Sequence, residues 1–406
     1  MSTLNVEGIK NSAATSNAIT LVSDGTCTAK ITNNLSNRNL LYNGAMTISQ
    51  KGTSFASIGS PGTYHLDRWR STFTLATGRY TASQDSSGPP GFAKSLKIDV
   101  TTAEASLGAS SAAGCVQMLE GQDLQQLQKG TATAKSVTLS FWVKSTTTGT
   151  YVVELQDSQN NRILCKQYTI SAANTWEKKT LTYAGDTTGT LTADNAGRLY
   201  VQFFLAAGTN YTSGSLGANW AASVSANRMV GQTNLFSSTS NDWYLTGVQL
   251  EVGDVATDFE HRSFGYELTR CQRYLRVYGG HAAYQRIGIG YFSNTSRLEC
   301  PLPLAPQMRT TPVMTVSDAG HWKAESPSGS GAFTAVGIDG NSSNQVAIVW
   351  GDKSSSFTAG ESGRYLANNT TSARIYLSAE ILITKKLLCL HSRQMLSILL
   401  LQRQIL

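Results

Sequence analysis

Apolar and polar residues alternate along most of this chain, and the spacing is that of strands. SVTLSFWVKS (136–145), YVVELQDS (151–158), ILCKQYTI (163–170), TWEKKTLTYAG (175–185), RLYVQFFLAAG (198–208) and WYLTGVQLEV (243–252) carry the period of two that gives a strand one apolar face. Breaks rich in Gly and Asn separate them at roughly ten to twenty residues, the rhythm of an antiparallel sandwich. The pattern predicts a jelly-roll-like β-sandwich over 39–260. One stretch, CVQMLEGQDLQQLQKG at 115–130, places Met118, Leu124 and Leu127 on one side and predicts a helical turn capping the sandwich.

The last of these strands is followed by a change of period. Trp243, Leu245, Gly247, Gln249 and Glu251 point one way, and Tyr244, Thr246, Val248, Leu250 and Val252 the other. Polar breaks at 253–254 and 257–258 end the alternation. Phe264, Leu268, Cys271, Tyr274 and Leu275 then recur at helical spacing, with Arg270, Arg273 and Arg276 between them. This predicts an elbow and a short basic linker helix within 261–280. A second, smaller β-domain is expected over 281–383, with strands at 285–292, 309–317, 332–339, 345–351 and 372–382. ProLeuProLeuAlaPro at 301–306 reads as a rigid extended connector. The fold class is all-β.

The two ends differ from this body. Residues 1–38 hold short apolar runs (Leu4, Val6 and Ile9, then Ile19, Leu21 and Val22), too few to bury a core. An arm whose strands pair with another subunit or a neighbouring protein is expected, with a disordered tail as the alternative. Residues 384–406 are Leu-rich and long enough for about five helical turns. Their apolar residues nearly encircle such a helix. Either it packs on other copies of itself or it is the product of an altered reading frame.

Composition narrows the function. The chain is 40% hydrophobic and only 15% charged, against roughly 25% in ordinary domains. Ser, Thr, Asn and Gly fill the difference, which favours sheet with polar turns and suits proteins of surfaces and particles. Of the net charge of +7, Lys385, Lys386, Arg393 and Arg403 supply four, and no basic stripe marks a nucleic-acid face. The six cysteines lack CxxC or CxxH spacing, so reduced core thiols are expected rather than a metal site. The start MSTLNVEGIK has no apolar signal core, and no stretch before residue 386 is long enough to span a membrane, so synthesis in a cytoplasm without membrane insertion is expected.

Candidate chemistry is sparse. Glu154 with Asp157, Glu251 with Asp254, and Asp258 with Glu260 are the paired carboxylates a glycosidase would need, but most acids sit in turns where they cap backbone. No GxSxG occurs, and His65, His261, His281, His321 and His391 have no partnered nucleophile motif. No catalytic set and no cofactor are expected. Asp254 and Asp258 could hold Ca²⁺ at the elbow, the simpler reading being solvated turn acids.

Aromatics are the richer signal: 7 Trp, 16 Tyr and 12 Phe. Trp69, Trp142 and Trp243 lie in alternating strands and are expected in the core. Tyr211 and Trp220 (GTNYTSGSLGANW), His321 and Trp322 (DAGHWKAESPSG) and Trp350 (VWGDKSSS) lie in polar loops. A flat ring beside Asn, Asp or Lys suits a sugar, the ring taking its C–H patch and the polar groups its hydroxyls. These five are the candidate glycan- or receptor-binding residues, with local packing the alternative for each.

Four motifs carry a family resemblance. RNLLYNGAMTISQKGTSF (38–55) followed by YHLDRW (64–69), then LEGQDLQQLQKGTATAKSVTLSFWVKS (119–145), ANTWEKKTLTYAGDTTGT (173–190) and WYLTGVQLEVGDVATDFEHRSFGYELTRCQRYL (243–275), resemble β-sandwich modules of bacteriophage tail fibres and related virion proteins, especially of marine phages. The start MSTLNVEGIKN looks like that of fibre subunits attached by their N-terminus. The likeness covers about residues 1–280; beyond it only ARIYLSAEI is similar, and the Leu-rich end departs from the pattern. The resemblance implies a non-enzymatic virion fibre, usually a homotrimer, made in the host cytoplasm. It implies attachment to a phage tail or adaptor protein through the N-terminal arm, with the distal part facing host-surface polysaccharide. Arg270, Arg273 and Arg276 are then expected to pair with acids of a neighbouring subunit. A capsid- or tail-decorating fibre without receptor contact and a polysaccharide depolymerase are the rival readings.

Overall fold

The computed structural model describes residues 36–353 and 357–381, together with short stretches between residues 7 and 29. The Leu-rich segment 384–406 and much of the arm 1–38 lie outside the described residues. Within the arm, Gly8–Ile9, Ile19–Leu21 and Cys27–Ala29 pair antiparallel with one another, leaving Ile9 and Leu21 exposed.

Two six-stranded antiparallel sheets form the sandwich. One runs in the order Ala221–Ala222, Arg162–Ile170, Gly149–Asp157, Gly197–Ala207, Ala112–Glu120, Arg70–Thr72. The other runs Glu177–Tyr183, Val137–Ser145, Asp242–Val252, Ser95–Thr102, Arg79–Asp85, Ser54–Ile58. Side chains of the inner faces interlock around an aromatic spine. Phe203 lies 6.1 Å from both Trp69 and Trp243 and edge-on to Phe141 at 5.1 Å. The sandwich is therefore jelly-roll-like, as the alternation predicts, and all six expected strands are present.

Three local expectations change. Ala112–Glu120 is a wholly buried central strand, and the helical turn contracts to Gly121–Leu127. The strand is apolar on both sides because both are covered, and a buried strand cannot be told from a helix by period alone. In Asp242–Val252 the alternation reverses at a bulge between Thr246 and Gln249, where Gly247 takes φ +62. The extra residue puts Trp243, Leu245, Val248 and Leu250 together in the core. Trp142, opposite Thr246, points outward and is half-buried.

The elbow is tied by Glu251, which accepts from the Thr257 amide at 2.9 Å and hydroxyl at 2.7 Å. The helix then covers Phe264–Gln272, capped by Ser263, and the chain enters strand Leu275–Gly279. That strand pairs with Arg374–Ser378, which also pairs with Val313–Val316. This small sheet packs Ile375 and Leu377 against a seven-stranded sheet ordered Gly329–Ala332, Trp322–Ser326, Ser362–Ala367, Arg286–Phe292, Arg297–Pro303, Val346–Asp352, Ala335–Ile338. The Pro-rich run is thus no connector: Pro301, Leu302 and Pro303 pair with Ile348, Ala347 and Val346. Strand Arg286–Phe292 pairs with this strand only through Leu298 and Glu299, so the prolines face no ladder partner on that side.

Candidate functional site

Alternation in the seven-stranded sheet sends Phe292, Leu298, Cys300, Val349 and Tyr365 inward to the core of the second body. The intervening residues face solvent. Register places Ser362, Tyr291, Glu299, Trp350 and Gly337 in one row across five strands. Beside the row, Ile289 stands opposite Arg364 on one flank and Arg297 opposite Asp352 on the other. Ile289 is 70% exposed and Tyr291 50%.

The polar groups on this face are held in place. The Tyr291 hydroxyl donates to Glu299 at 3.0 Å, and this hydrogen bond holds the phenol above its usual range. Arg297 donates to Asp352 through Nε and Nη2, both at 2.7 Å, and lies 4.1 Å over the Trp350 ring. A Cβ at Gly337 would come within 2.3 Å of that indole, so only glycine lets the ring lie against the neighbouring strand. The result is an open face with an exposed ring, an aliphatic neighbour, a carboxylate and a guanidinium in fixed positions. Such a surface can stack on a sugar and hydrogen-bond its hydroxyls. Two small clefts elsewhere, of about 120 Å³ and 80 Å³, fall well below the roughly 300 Å³ of an ordinary ligand pocket.

Of the five residues chosen from sequence, only Trp350 stands on this face. His321 is half-buried, its Nδ1 3.0 Å from the Ser317 hydroxyl. Trp322 is completely buried against Tyr365 and offers no ring face to solvent. Tyr211 and Trp220 belong to the 208–236 excursion, which crosses the outer face of the first sandwich sheet. Tyr211 is buried edge-on to Phe73, and the Trp220 indole donates to the Ala184 carbonyl at 2.8 Å. Polar flanking residues misled at both: Trp322 opens strand Trp322–Ser326 and fills the core of the second body, and Tyr211 fills a small core beneath its own excursion. Tyr291 was missed because YF in GIGYFSN reads as the end of an ordinary strand; the signal was its alternation with the buried Phe292.

The charged candidates are also placed. Glu154 is buried beneath the excursion, bound by Arg228 at 2.5 Å and by Gln202 at 2.7 Å. Asp157 is buried on Lys129 at 2.5 Å. Both carboxylates are fully shielded from solvent. Arg273 caps the helix and donates twice to Glu120, at 2.8 and 2.7 Å. Arg270 lies 4.0 Å over the Tyr42 ring, and Arg276, on the strand after the helix, donates to the Pro306 carbonyl at 2.9 Å. All three arginines, expected at a subunit interface, are engaged within their own chain.

The family-like motifs prove to bind one another. Asn39 donates to the Val248 carbonyl and accepts from the Leu250 amide, tying the first motif to the last strand. Gln50 donates to Asp67 and to the Leu275 carbonyl. Arg262 donates to the Asn39 and Leu41 carbonyls. Arg68 sits fully buried at their centre, its guanidinium 3.5 Å from the Tyr274 ring centroid, donating to the Met118 carbonyl and to Glu380. Burial opposes the charge, but Glu380 and the neighbouring tyrosines outweigh it and keep the guanidinium above its usual range.

No family model matches the chain, and no curated protein matches it. Among solved structures it is similar to the enzymatically active domain of tailspike protein 4 of bacteriophage CBA120, at 17% identity over 53% of this chain and 21% of that one, with a TM-score of 0.28. It is also similar to the family 11 carbohydrate-binding module of Clostridium thermocellum in complex with a mixed-linked tetrasaccharide, at 12% identity over 52% and 98% of the two chains and a TM-score of 0.25. A third, TmCBM61 in complex with β-1,4-galactotriose, matches at 10% identity over 53% and 99%, with a TM-score of 0.27.

Proposed function

We propose that this chain is a structural subunit of a bacteriophage tail fibre, fixed to the virion by its N-terminal part, whose C-terminal β-domain adsorbs to host-surface glycan. The observation that carries the receptor role is the open face of the seven-stranded sheet. Ile289 and Tyr291 are exposed there beside Glu299 and the Arg297–Asp352 pair, and exposed apolar residues framed by polar ones mark interaction sites. The virion role is supported by the ordered set of four motifs.

Binding without cleavage is part of the proposal. The acids most suited to hydrolysis, Glu154 and Asp157, are each bound to a buried cation. A homotrimer would multiply weak sugar contacts into useful avidity. Light scattering tests this part: a mass near 43.5 kDa, that of one chain, contradicts the trimer. Retention of the full-length protein on immobilised host polysaccharide, reduced at least tenfold by Tyr291→Ala, tests the receptor face. Equal retention of the variant contradicts it.

A further inference from the structure

We infer that the outer face of the second sandwich sheet is a separate saccharide site, and that its ligand is an anionic sugar such as a hexuronate. Register sets Lys144, Tyr244, Lys97 and Ser83 side by side on four adjacent strands. All four point away from the core and are half-buried. The Lys144 ammonium lies 4.0 Å from the Tyr244 ring centroid and 5.3 Å from that of Trp176, and the two rings meet edge-on at 6.1 Å.

The two lysines differ in their charge balance. Lys97 is compensated by Asp99 at 3.2 Å and Asp242 at 3.6 Å. Lys144 has no ion-pair partner among the described residues, and its ammonium donates only to the Ser87 hydroxyl, at 3.2 Å. A cation without an ion pair among the described residues is thus held beside two aromatic rings on a solvent-facing sheet, where the Tyr244 hydroxyl donates to Asp242 at 3.0 Å. Rings of this kind take the C–H face of a pyranose, and an ammonium beside them takes a carboxylate by a charge-assisted hydrogen bond. A neutral sugar would leave the charge unused. An isolated phosphate or a carboxylate without a ring would leave the Tyr244–Trp176 pair unused. The site shares no residue with the C-terminal face and stands or falls apart from it.

Affinity electrophoresis of the full-length protein in polygalacturonate, and in the same polymer with its carboxyls methyl-esterified, tests the inference. The wild type should be retarded by the acid polymer and at least tenfold less by the ester. Lys144→Gln and, independently, Trp176→Ala should each weaken the acid-polymer affinity at least tenfold. Lys178→Gln, which removes an equal charge from an exposed position on the same sheet, should leave it unchanged. No retardation of the wild type, equal retardation by the ester, or equal loss in Lys178→Gln, which signals general attraction to a basic protein, each overturns it.

Discussion

Arg68 stacks its guanidinium on the ring of Tyr274, 3.5 Å from the centroid, at the point where the sandwich, the helix and the second β-body meet. The same side chain pairs with Glu380, two residues beyond the last strand of the second body. Around it the Tyr64 hydroxyl donates to the Ile381 carbonyl at 2.6 Å, and Arg309 donates to the carbonyls of Ala379 and Glu380. The segment that ends the second body therefore returns to the first and is locked there by a buried ion pair.

Removing one partner of a buried pair leaves the other charge unsatisfied and costs about 3–5 kcal/mol. Arg68→Leu or Glu380→Ala should lower the free energy of unfolding by that amount in a denaturant titration. Glu380→Ala should also make the 379–381 segment sensitive to limited proteolysis. Joint replacement of both by apolar residues should recover much of the loss.

Gly247 should resist substitution. Its φ of +62 disfavours a side chain, and a Cβ there would lie 2.8 Å from the Phe92 ring and 3.0 Å from the Trp142 indole. Gly247→Ala is expected to cost about 1–3 kcal/mol by thermal or chemical denaturation. A neutral result would mean that neither the φ nor the close approach of Phe92 and Trp142 constrains this position.

His65 is buried with neither ring nitrogen hydrogen-bonded, and burial lowers its pKa from 6.5 to about 3. The unfolded chain takes up this proton first. The contribution is whole above about pH 6.5 and is lost progressively as pH falls toward 3. Asp67, which burial raises to about 6, works the other way by favouring the folded state as it protonates. Comparing wild type with His65→Phe isolates the histidine. From pH 7 to pH 5 the wild type should lose about 2 kcal/mol more than the variant.

How far this was readable from sequence can be judged residue by residue. The strands around Phe141, Val153, Phe203 and Trp243 followed from period two, because each buries one face. Ala112–Glu120 did not, since a strand covered on both sides has no period to read. The reversal at Gly247 was hidden because one extra residue in a strand leaves composition unchanged and moves every later side chain to the other face. Of the candidate face, Trp350 was singled out from its polar neighbours. Tyr291, Glu299 and Arg297 were not, because they are joined by register between strands rather than by proximity along the chain. Asp67, Arg68 and Trp69 were visible as a motif, but their joining role depends on Glu380, more than three hundred residues away.

Glu154 offers a separation of structural from catalytic roles. Glu154→Gln leaves Arg228 buried without its counter-charge and should cost about 3 kcal/mol in stability. Replacing both with apolar residues of similar volume should cost far less. A folded Glu154→Gln protein that loses a polysaccharide-clearing activity of the wild type would instead make this carboxylate a catalyst.

The central claim is that the C-terminal face meets the host. Competition for adsorption tests it most directly, with purified full-length protein added to host cells before phage. The wild-type protein should block adsorption at saturating dose, and the Tyr291→Ala/Arg297→Ala double variant, shown to be folded, should require at least tenfold more protein. Failure of the wild type to block, or blocking by the double variant at the same dose, contradicts it.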